Sequence, residues 1–565
     1  GNDLRDSKGR YVYEVNQQKT MIVQAKQDEL KRKFADWIFS DPDRREKLVD
    51  VYNEKFNSVR LREYDGSHLN FVGMSSAITL KEHQKNAVAR GLYSNGNTLL
   101  AHEVGAGKTF EMIAIAMEGK RLGLHNKSLI TAPNGLTEQW GNAFRTLYPN
   151  ANVLVATEKD FKKENRRDLF AKIATGDWDA VVIGHSQFDM IHLSRERELE
   201  VLHTELDRLE EALREMDDGV GRKSFSVKQI EKSIKAYEDK IEKLLAKAPE
   251  DDMLCFEKLG IDKIFVDESQ AYKNLDIPTK MRNVSGIGSG GSGRSMQLLM
   301  KCKYLDELTG GKGCVFASGT PISNSMSEMY TLMRYLQADK LAELGINSFD
   351  RWASVFGETV SSMELSPEGN GKYQMKTRFA RFQNLPELMN IFKECADIKT
   401  AETLDLDRPD FEMHNINVPS TAIQATMIKE LGERAKEIRA GDVDPTEDNM
   451  CKLTVDGRKI GLDQRCMNPN LPDDPKSKVN VCINNVFDIW QRTAEEKSTQ
   501  LIFCDLATPQ PTLNENTYTV YRPNTKGGYS DVYSAKLGEK DTAEKIMNKL
   551  NGKKPPKNYE AGDVA

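Results

Sequence analysis

Residues 99–114 read LLAHEVGAGKTFEMIA, an apolar run that passes through two glycines into Gly107-Lys108-Thr109 and out into an apolar-periodic segment. A strand that turns through glycines into a helix leaves backbone N–H groups free at the helix start, a ready cradle for phosphate. Gly105, Ala106 and Gly107 form the cradle, Lys108 faces the β- and γ-phosphates, and the Thr109 hydroxyl suits Mg²⁺. The general phosphate-loop pattern has a glycine where this chain has His102, so the match is GxGKT, and a glycine-rich turn that merely joins strand to helix is the competing reading.

Working outward, short apolar runs recur between helical stretches: NTLLA, SLITAP, NVLVAT, AVVIGH, KIFVDE and CVFASG. Uniformly apolar strands alternating with helices predict an α/β fold, a parallel sheet covered on both faces. Upstream, residues 1–75 carry helical spacing with a proline break between Asp41 and Asp43. Residues 193–247 interrupt the α/β alternation. Leu199, Leu202, Leu206, Leu209, Leu213 and Met216, then Val227, Ile230, Ile234, Tyr237, Ile241 and Leu244, follow 3-4 spacing. The pattern predicts an antiparallel helical hairpin, a coiled-coil insertion that projects from the sheet domain and closes its own seam. It serves either as a rigid spacer or as an arm for a partner or DNA. GIGSGGSGRS, residues 286–295, reads as a flexible loop.

KIFVDESQAYKN, residues 263–274, puts Asp267 and Glu268 at the carboxyl end of a buried strand, where ligands collect in open α/β sheets. Asp267 there can hold a metal ion and Glu268 can orient an attacking water. A charge pair that only favours a helix N-terminus is the alternative.

The chain has 565 residues, 29% of them charged, and a net charge of −6, which excludes a strongly basic nucleic-acid coat and makes any DNA contact local. Eight scattered cysteines without a CxxC pair suggest neither a zinc site nor a disulfide framework and fit a reducing cytoplasm. No apolar run reaches the length of a membrane span, so no membrane partner is expected. The chain opens on Gly-Asn rather than Met, as a piece of a longer polypeptide would.

HEVGAGKT, LITAPNGLTEQW, DESQAYKN and SGTPISNS, in that order, resemble the motifs of superfamily 2 helicases and translocases, particularly the Swi/Snf-like branch. The resemblance runs over about residues 11–510 and extends to the helicase portion of large phage and mobile-element proteins, where the unit sits beside adenine-specific methylase or antirestriction modules. It implies a RecA-like P-loop ATPase that uses ATP and Mg²⁺ and moves on double-stranded DNA in the cytoplasm of a bacterium or its phage. The first lobe would span 76–192 and 248–405. The second would start at 406–510, with TQLIFCDL, 499–506, as its opening strand, and a tail at 511–565 would lack the final motifs.

By the same resemblance Gln84 reads adenine, and Lys108, Asp267, Glu268 and Gln270 are catalytic, with Thr109 and Asp267 on the metal. Pro133, Gln139, Trp140, His185, Ser186, Ser318 and Thr320 border DNA or couple it to the nucleotide. Ser269 and Gln270 stand where Ala-His is usual. Downstream of LIFCDL no QxxGRxxR-type arginine finger motif occurs, and Arg522 is the one arginine there. Poor hydrolysis by this chain alone is the resulting expectation. An ATP-gated scaffold with vestigial hydrolysis is the alternative function, and a P-loop ATPase working on proteins a remoter one.

Overall fold

A computed structural model describes residues 4–5, 11–12, 17–54, 60–217, 225–246, 255–279, 281, 284–287, 291–365, 373–404, 411–440, 442–444, 446–504, 506, 517–523 and 529–536. The chain divides into two compact units. One is dominated by residues 13–364 and 373–410, the other by 411–565.

In the first unit, helices α1 (Gln17–Ser40) and α2 (Pro42–Tyr52) precede the sheet. Between them Asp41 caps α2 by accepting the Arg44 N–H at 2.8 Å, with Pro42 at the first helical position, where a missing N–H costs nothing. Seven strands then form one parallel sheet: β1 (Thr98–His102), β2 (Ser128–Ala132), β3 (Val153–Val155), β4 (Ala180–Gly184), β5 (Lys263–Val266), β6 (Cys314–Ala317) and β7 (Ala396–Lys399), in the spatial order β7-β1-β6-β5-β2-β4-β3. This is the RecA-like arrangement. The six apolar runs are β1 to β6. The seventh strand, ADIK, escaped the sequence reading because it is an edge strand carrying Asp397 and Lys399, without the all-apolar signature of a doubly covered strand.

Successive residues of a strand face opposite sides, and here both sides are dry. Leu99, Leu129, Ile183, Ile264, Val266 and Phe316 belong to one core, Leu100, Ile130, Val182, Phe265 and Val315 to the other. Helices α3 (Glu82–Tyr93), α4 (Lys108–Arg121) and α5 (Thr137–Leu147) cover the second of these faces.

The insertion forms two helices, α6 (Arg195–Asp217) and α7 (Phe225–Ala246). They are antiparallel, since Arg195 at the start of α6 donates to the Leu245 carbonyl at the end of α7. The connection DDGVGRKSFS falls mostly outside the described residues. The expectation of a projecting hairpin sealed only on itself does not hold: Leu202, Leu209, Ile230, Tyr237, Ile241 and Leu244 are buried within the main core. Helices α8 (Gly293–Thr309) and α9 (Ser327–Leu336) meet the insertion through Glu205, which accepts from Arg334 on α9 at 2.7 Å, Arg208 at 3.0 Å and Lys303 on α8 at 3.4 Å. A leucine count along α6 passes over that buried carboxylate, which is what fastens the hairpin down. Two unforeseen neighbouring strands, Gly357–Leu365 and Tyr373–Phe382, lie with Val284–Ser285 in a small separate sheet.

The second unit contains helices Ala422–Ala440, Met450–Leu462 and Lys478–Arg492 and an antiparallel hairpin of Thr517–Pro523 with Tyr529–Lys536, which carries Arg522 in its first strand. The strand expected over TQLIFCDL is not formed. Residues 499–504 are irregular, with Leu501, Ile502 and Phe503 exposed, because no described strand pairs with them and an apolar run has no strand character without a ladder. KDTAEKIMNKL, residues 540–550, the one stretch of the tail whose composition reads as helical, lies outside the described residues. Among the described residues no helix is long and apolar enough to cross a membrane.

Candidate nucleotide site

The carboxyl ends of β1, β5 and β6 meet at one edge of the sheet, and the residues singled out by sequence collect there. After β1 the chain turns through Gly105 at φ 86° and Gly107 at φ 91°, both in the left-handed region that a Cβ disfavours. Gly107 has a second constraint. A Cβ on it would stand 2.2 Å from Gln84 Nε2. Lys108 opens α4 and its Nζ donates to the carbonyls of His102 at 2.9 Å and Glu103 at 3.2 Å, with Thr109 next in the same turn. The expected lysine therefore folds back over the loop, held by neutral acceptors that a phosphate would outcompete.

Gln84 lies on α3, buried against the loop. Its Oε1 accepts the Lys81 N–H at 2.9 Å, and its Nε2 donates to the carbonyls of Ala106 at 3.3 Å and Gly107 at 3.4 Å. The amide thus braces the phosphate loop, and contact with a base would require it to release those bonds. His83 adds a contact from its Nε2 to the Ala106 carbonyl at 2.9 Å.

His102, in the place of the usual glycine, is fully buried. Its Nδ1 meets Glu111 of α4 at 3.0 Å and its Nε2 meets Asp397 of β7 at 3.0 Å. Burial by itself would drive the proton off, but the two carboxylates outweigh it and raise the imidazole to about 9. A charged His102 therefore ties the strand before the phosphate loop to the helix after it and to the neighbouring strand. Neither carboxylate was singled out from sequence. Glu111 sits in an amphipathic pattern and Asp397 is distant in the chain, so only the fold brings them together.

On β5, the Asp267 N–H donates to the Thr131 carbonyl at 2.9 Å, fixing the strand end. Asp267 is buried, with Oδ2 accepting from Trp140 Nε1 at 3.1 Å and Oδ1 from the Glu268 N–H at 3.0 Å. Burial is the largest influence on its carboxyl and pushes it upward, against the Trp140 hydrogen bond. Glu268 follows at φ 49°, a left-handed conformation rare for a residue with a side chain. Such strain persists where surrounding contacts over-determine it, often at functional sites. Gln270 Nε2 donates to the Glu268 carboxylate, while its Oε1 accepts from Ser318 Oγ at 2.7 Å, and Ser318 Oγ accepts the Thr320 N–H at 3.0 Å. Gly319 closes the circuit: a Cβ there would lie 2.9 Å from Val104 Cγ2 and 3.6 Å from Lys108 Nζ.

Three residues expected beside DNA are buried instead. Trp140 is 2% exposed and spends its N–H on Asp267. His185 is buried with Nε2 on the Asp267 carbonyl at 2.9 Å, and that burial lowers its basicity. Ser318 is enclosed by Gln270. These side chains orient the acid strand from behind. Gln139 and Thr320 are exposed, Pro133 and Ser186 half-buried, and Ser186 donates its N–H to Asn134 Oδ1 at 3.1 Å.

An oxygen donor pair of Thr109 hydroxyl and Asp267 carboxylate fits a hard divalent ion that keeps most of its waters. Asp267 is buried on neutral donors alone, the condition a cation would relieve.

Residues 91–400 match the family described as probable helicase domain, and residues 2–58 a domain family of unknown function. The chain is 24% identical over 455 residues to the defense against restriction protein B of Escherichia phage P1, covering 72% of this chain and 20% of that protein. Over 104 residues it is 34% identical to a probable ATP-dependent DNA helicase of Arabidopsis thaliana, covering 18% of this chain and 9% of the relative. The chain thus spans a fifth or less of these relatives. Among solved structures it is similar to a Sulfolobus solfataricus SWI2/SNF2 ATPase core in complex with double-stranded DNA, at 15% identity and a TM-score of 0.33, covering 76% of this chain and 67% of that one.

Proposed function

Since the chain belongs to the probable helicase domain family, we propose that it is the ATP-hydrolysing motor unit of a Swi/Snf-like superfamily 2 DNA translocase, acting on double-stranded DNA within a larger protein. The observation that carries this reading is the relay Glu268–Gln270–Ser318, which joins the acid that would orient water to the SGTPISN turn beside Lys108. ATP would occupy the cleft over Gly105, Ala106 and Gly107, with Lys108 leaving the carbonyls of His102 and Glu103 for the β- and γ-phosphates.

Mg²⁺ on Thr109 and Asp267 would neutralise developing phosphoryl charge. Glu268, aimed by its left-handed backbone and by Gln270, would position the attacking water and take its proton. Gln84 would sense the loop's conformation through the carbonyls of Ala106 and Gly107. Pro133, Gln139, Ser186 and Thr320 would face the DNA backbone, while Trp140, His185 and Ser318 hold the acid strand to that surface.

The test has two stages. Calorimetry should give ATP binding by the wild type and none by Lys108→Ala. Phosphate release should stay low in this chain alone, and in one extended by the downstream sequence of the larger protein it should rise with double-stranded DNA and vanish in Glu268→Gln. Equal ATP affinity of wild type and Lys108→Ala would refute the site. Binding without DNA-stimulated release, in this chain and in one extended by its natural downstream sequence, would favour the scaffold.

A further inference from the structure

At the edge of the sheet opposite the phosphate loop, a cleft of about 370 Å³ opens before the amino ends of β1, β6 and β7. Its charges do not balance internally. Of the acids on its wall, Glu394 lies 3.7 Å from Lys340, and Asp306 accepts from Asn97 Nδ2 at 2.8 Å. Burial raises the Asp306 carboxyl to about 7, so part of it is neutral at physiological pH. That leaves Arg60, Arg62, Arg90 and Lys393 facing Asp339, and among the described residues none of those four cations forms an ion pair.

Arg90 is the telling residue. It is 8% exposed, and its Nη2 donates only to neutral oxygens, the carbonyls of Lys393 at 2.6 Å and Glu394 at 2.9 Å. Its Nε is buried with no partner. Asp397, a carboxylate that feels its charge, is engaged by His102. A guanidinium withdrawn from water without a counter-ion is costly, and the cost is relieved by an anion entering the site. Tyr64 is flanked by Arg62 and Arg90, each 5.2 Å from the ring, which holds both guanidinium planes at the cleft wall. Arginine forks of this kind match the oxygens of phosphate bidentately.

We propose that this cleft binds a phosphate group, carried by a free phosphate-bearing small molecule or by a nucleic-acid backbone. The site is remote from the ATP cleft and does not depend on the function proposed for it.

The experiment uses the full chain with Lys108→Ala, which silences the phosphate loop, and calorimetry with inorganic pyrophosphate as the probe. One saturable site is expected. Arg62→Ala with Lys393→Ala, both exposed and tolerant of change, should weaken it at least about tenfold while the thermal melt stays unchanged. A parallel titration with a short DNA duplex separates the sources. Duplex affinity that falls with the same two substitutions, and is competed by pyrophosphate, assigns the site to nucleic acid; duplex affinity that does not change assigns it to a free phosphate compound. No pyrophosphate binding in the Lys108→Ala chain, or binding of equal strength after both substitutions, overturns the proposal.

Discussion

Replacing His102 by Gln keeps a hydrogen-bonding group between Glu111 and Asp397 but removes the charge that both carboxylates enclose. His102 and Glu111 are fully buried and the Asp397 side chain is 16% exposed, each contact being 3.0 Å. The folded imidazole titrates at about 9 instead of the ordinary 6.5. At roughly 1.36 kcal/mol per pH unit, that difference amounts to about 3 kcal/mol. The cost of breaking a buried ion pair, about 3–5 kcal/mol, agrees. Because the folded value is raised, the contribution is fully present below 6.5 and is lost as pH rises through 9.

Lys263 and Lys301, which burial pushes down to about 8, act with the opposite sign over part of this range. The quantity to follow is therefore the difference between wild type and His102→Gln. Of the five tryptophans only Trp490 lies in the second unit. In a Trp490→Phe background, fluorescence during urea unfolding reports on the first unit alone. The variant should be less stable by about 3 kcal/mol at about pH 6, with the gap closing by about pH 9.5. A gap that is constant across that range would show that His102 is not a charged tie.

Other outcomes follow from the same geometry. Trp140→Phe leaves Asp267 Oδ2 without its donor and should cost about 1.5–3 kcal/mol in urea melts, the value of a hydrogen bond to a charged group, with weaker magnesium-dependent ATP binding. Gly107→Ala meets both a left-handed φ and Gln84 Nε2, so ATP affinity measured by calorimetry should fall at least about tenfold, the equivalent of roughly 1.4 kcal/mol of strain. Glu205→Gln strips the buried Arg334 of its partner. Unfolding of the first unit should become easier by about 3–5 kcal/mol, and removal of residues 195–246 should abolish its cooperative melt. Glu205, held down at about 2 by Arg334, Arg208 and Lys303 against its burial, contributes stability above its ordinary 4.5 that is lost as pH falls through 2.

Periodicity and local punctuation made much of this protein readable. Six of seven core strands are apolar because both faces are covered, and Gly105 and Gly107 are where the backbone demands them. Lys108, Asp267, Glu268, Gln270 and Ser318 come from three separated stretches, yet each stretch ends a strand, so their convergence at one sheet edge follows from the fold type. What stayed hidden depends on partners far apart in the chain. Trp140 in QW was expected to border DNA, but its N–H is spent on a carboxylate 127 residues away. Glu205 looked like one more solvated charge on a heptad helix. The irregular LIFC, residues 501–504, shows the limit of local pattern, because a strand exists only where neighbours accept its hydrogen bonds.

The pairing of β7 beside β1 bears on the order in which the ribosome delivers the chain. The base of the phosphate loop, at residue 102, receives its flanking strand and one of its two carboxylates from residues 396–399. A nascent polypeptide that has emerged only as far as β6 already holds Gly105, Ala106, Gly107, Lys108, Thr109 and Asp267, but its β1 is still an open edge and His102 has a single counter-charge. Closure of so long a separation is a late and slow event in folding. The second counter-charge of His102 therefore arrives only with a strand 295 residues further along the chain, and the phosphate loop stays loosely tied until that strand docks.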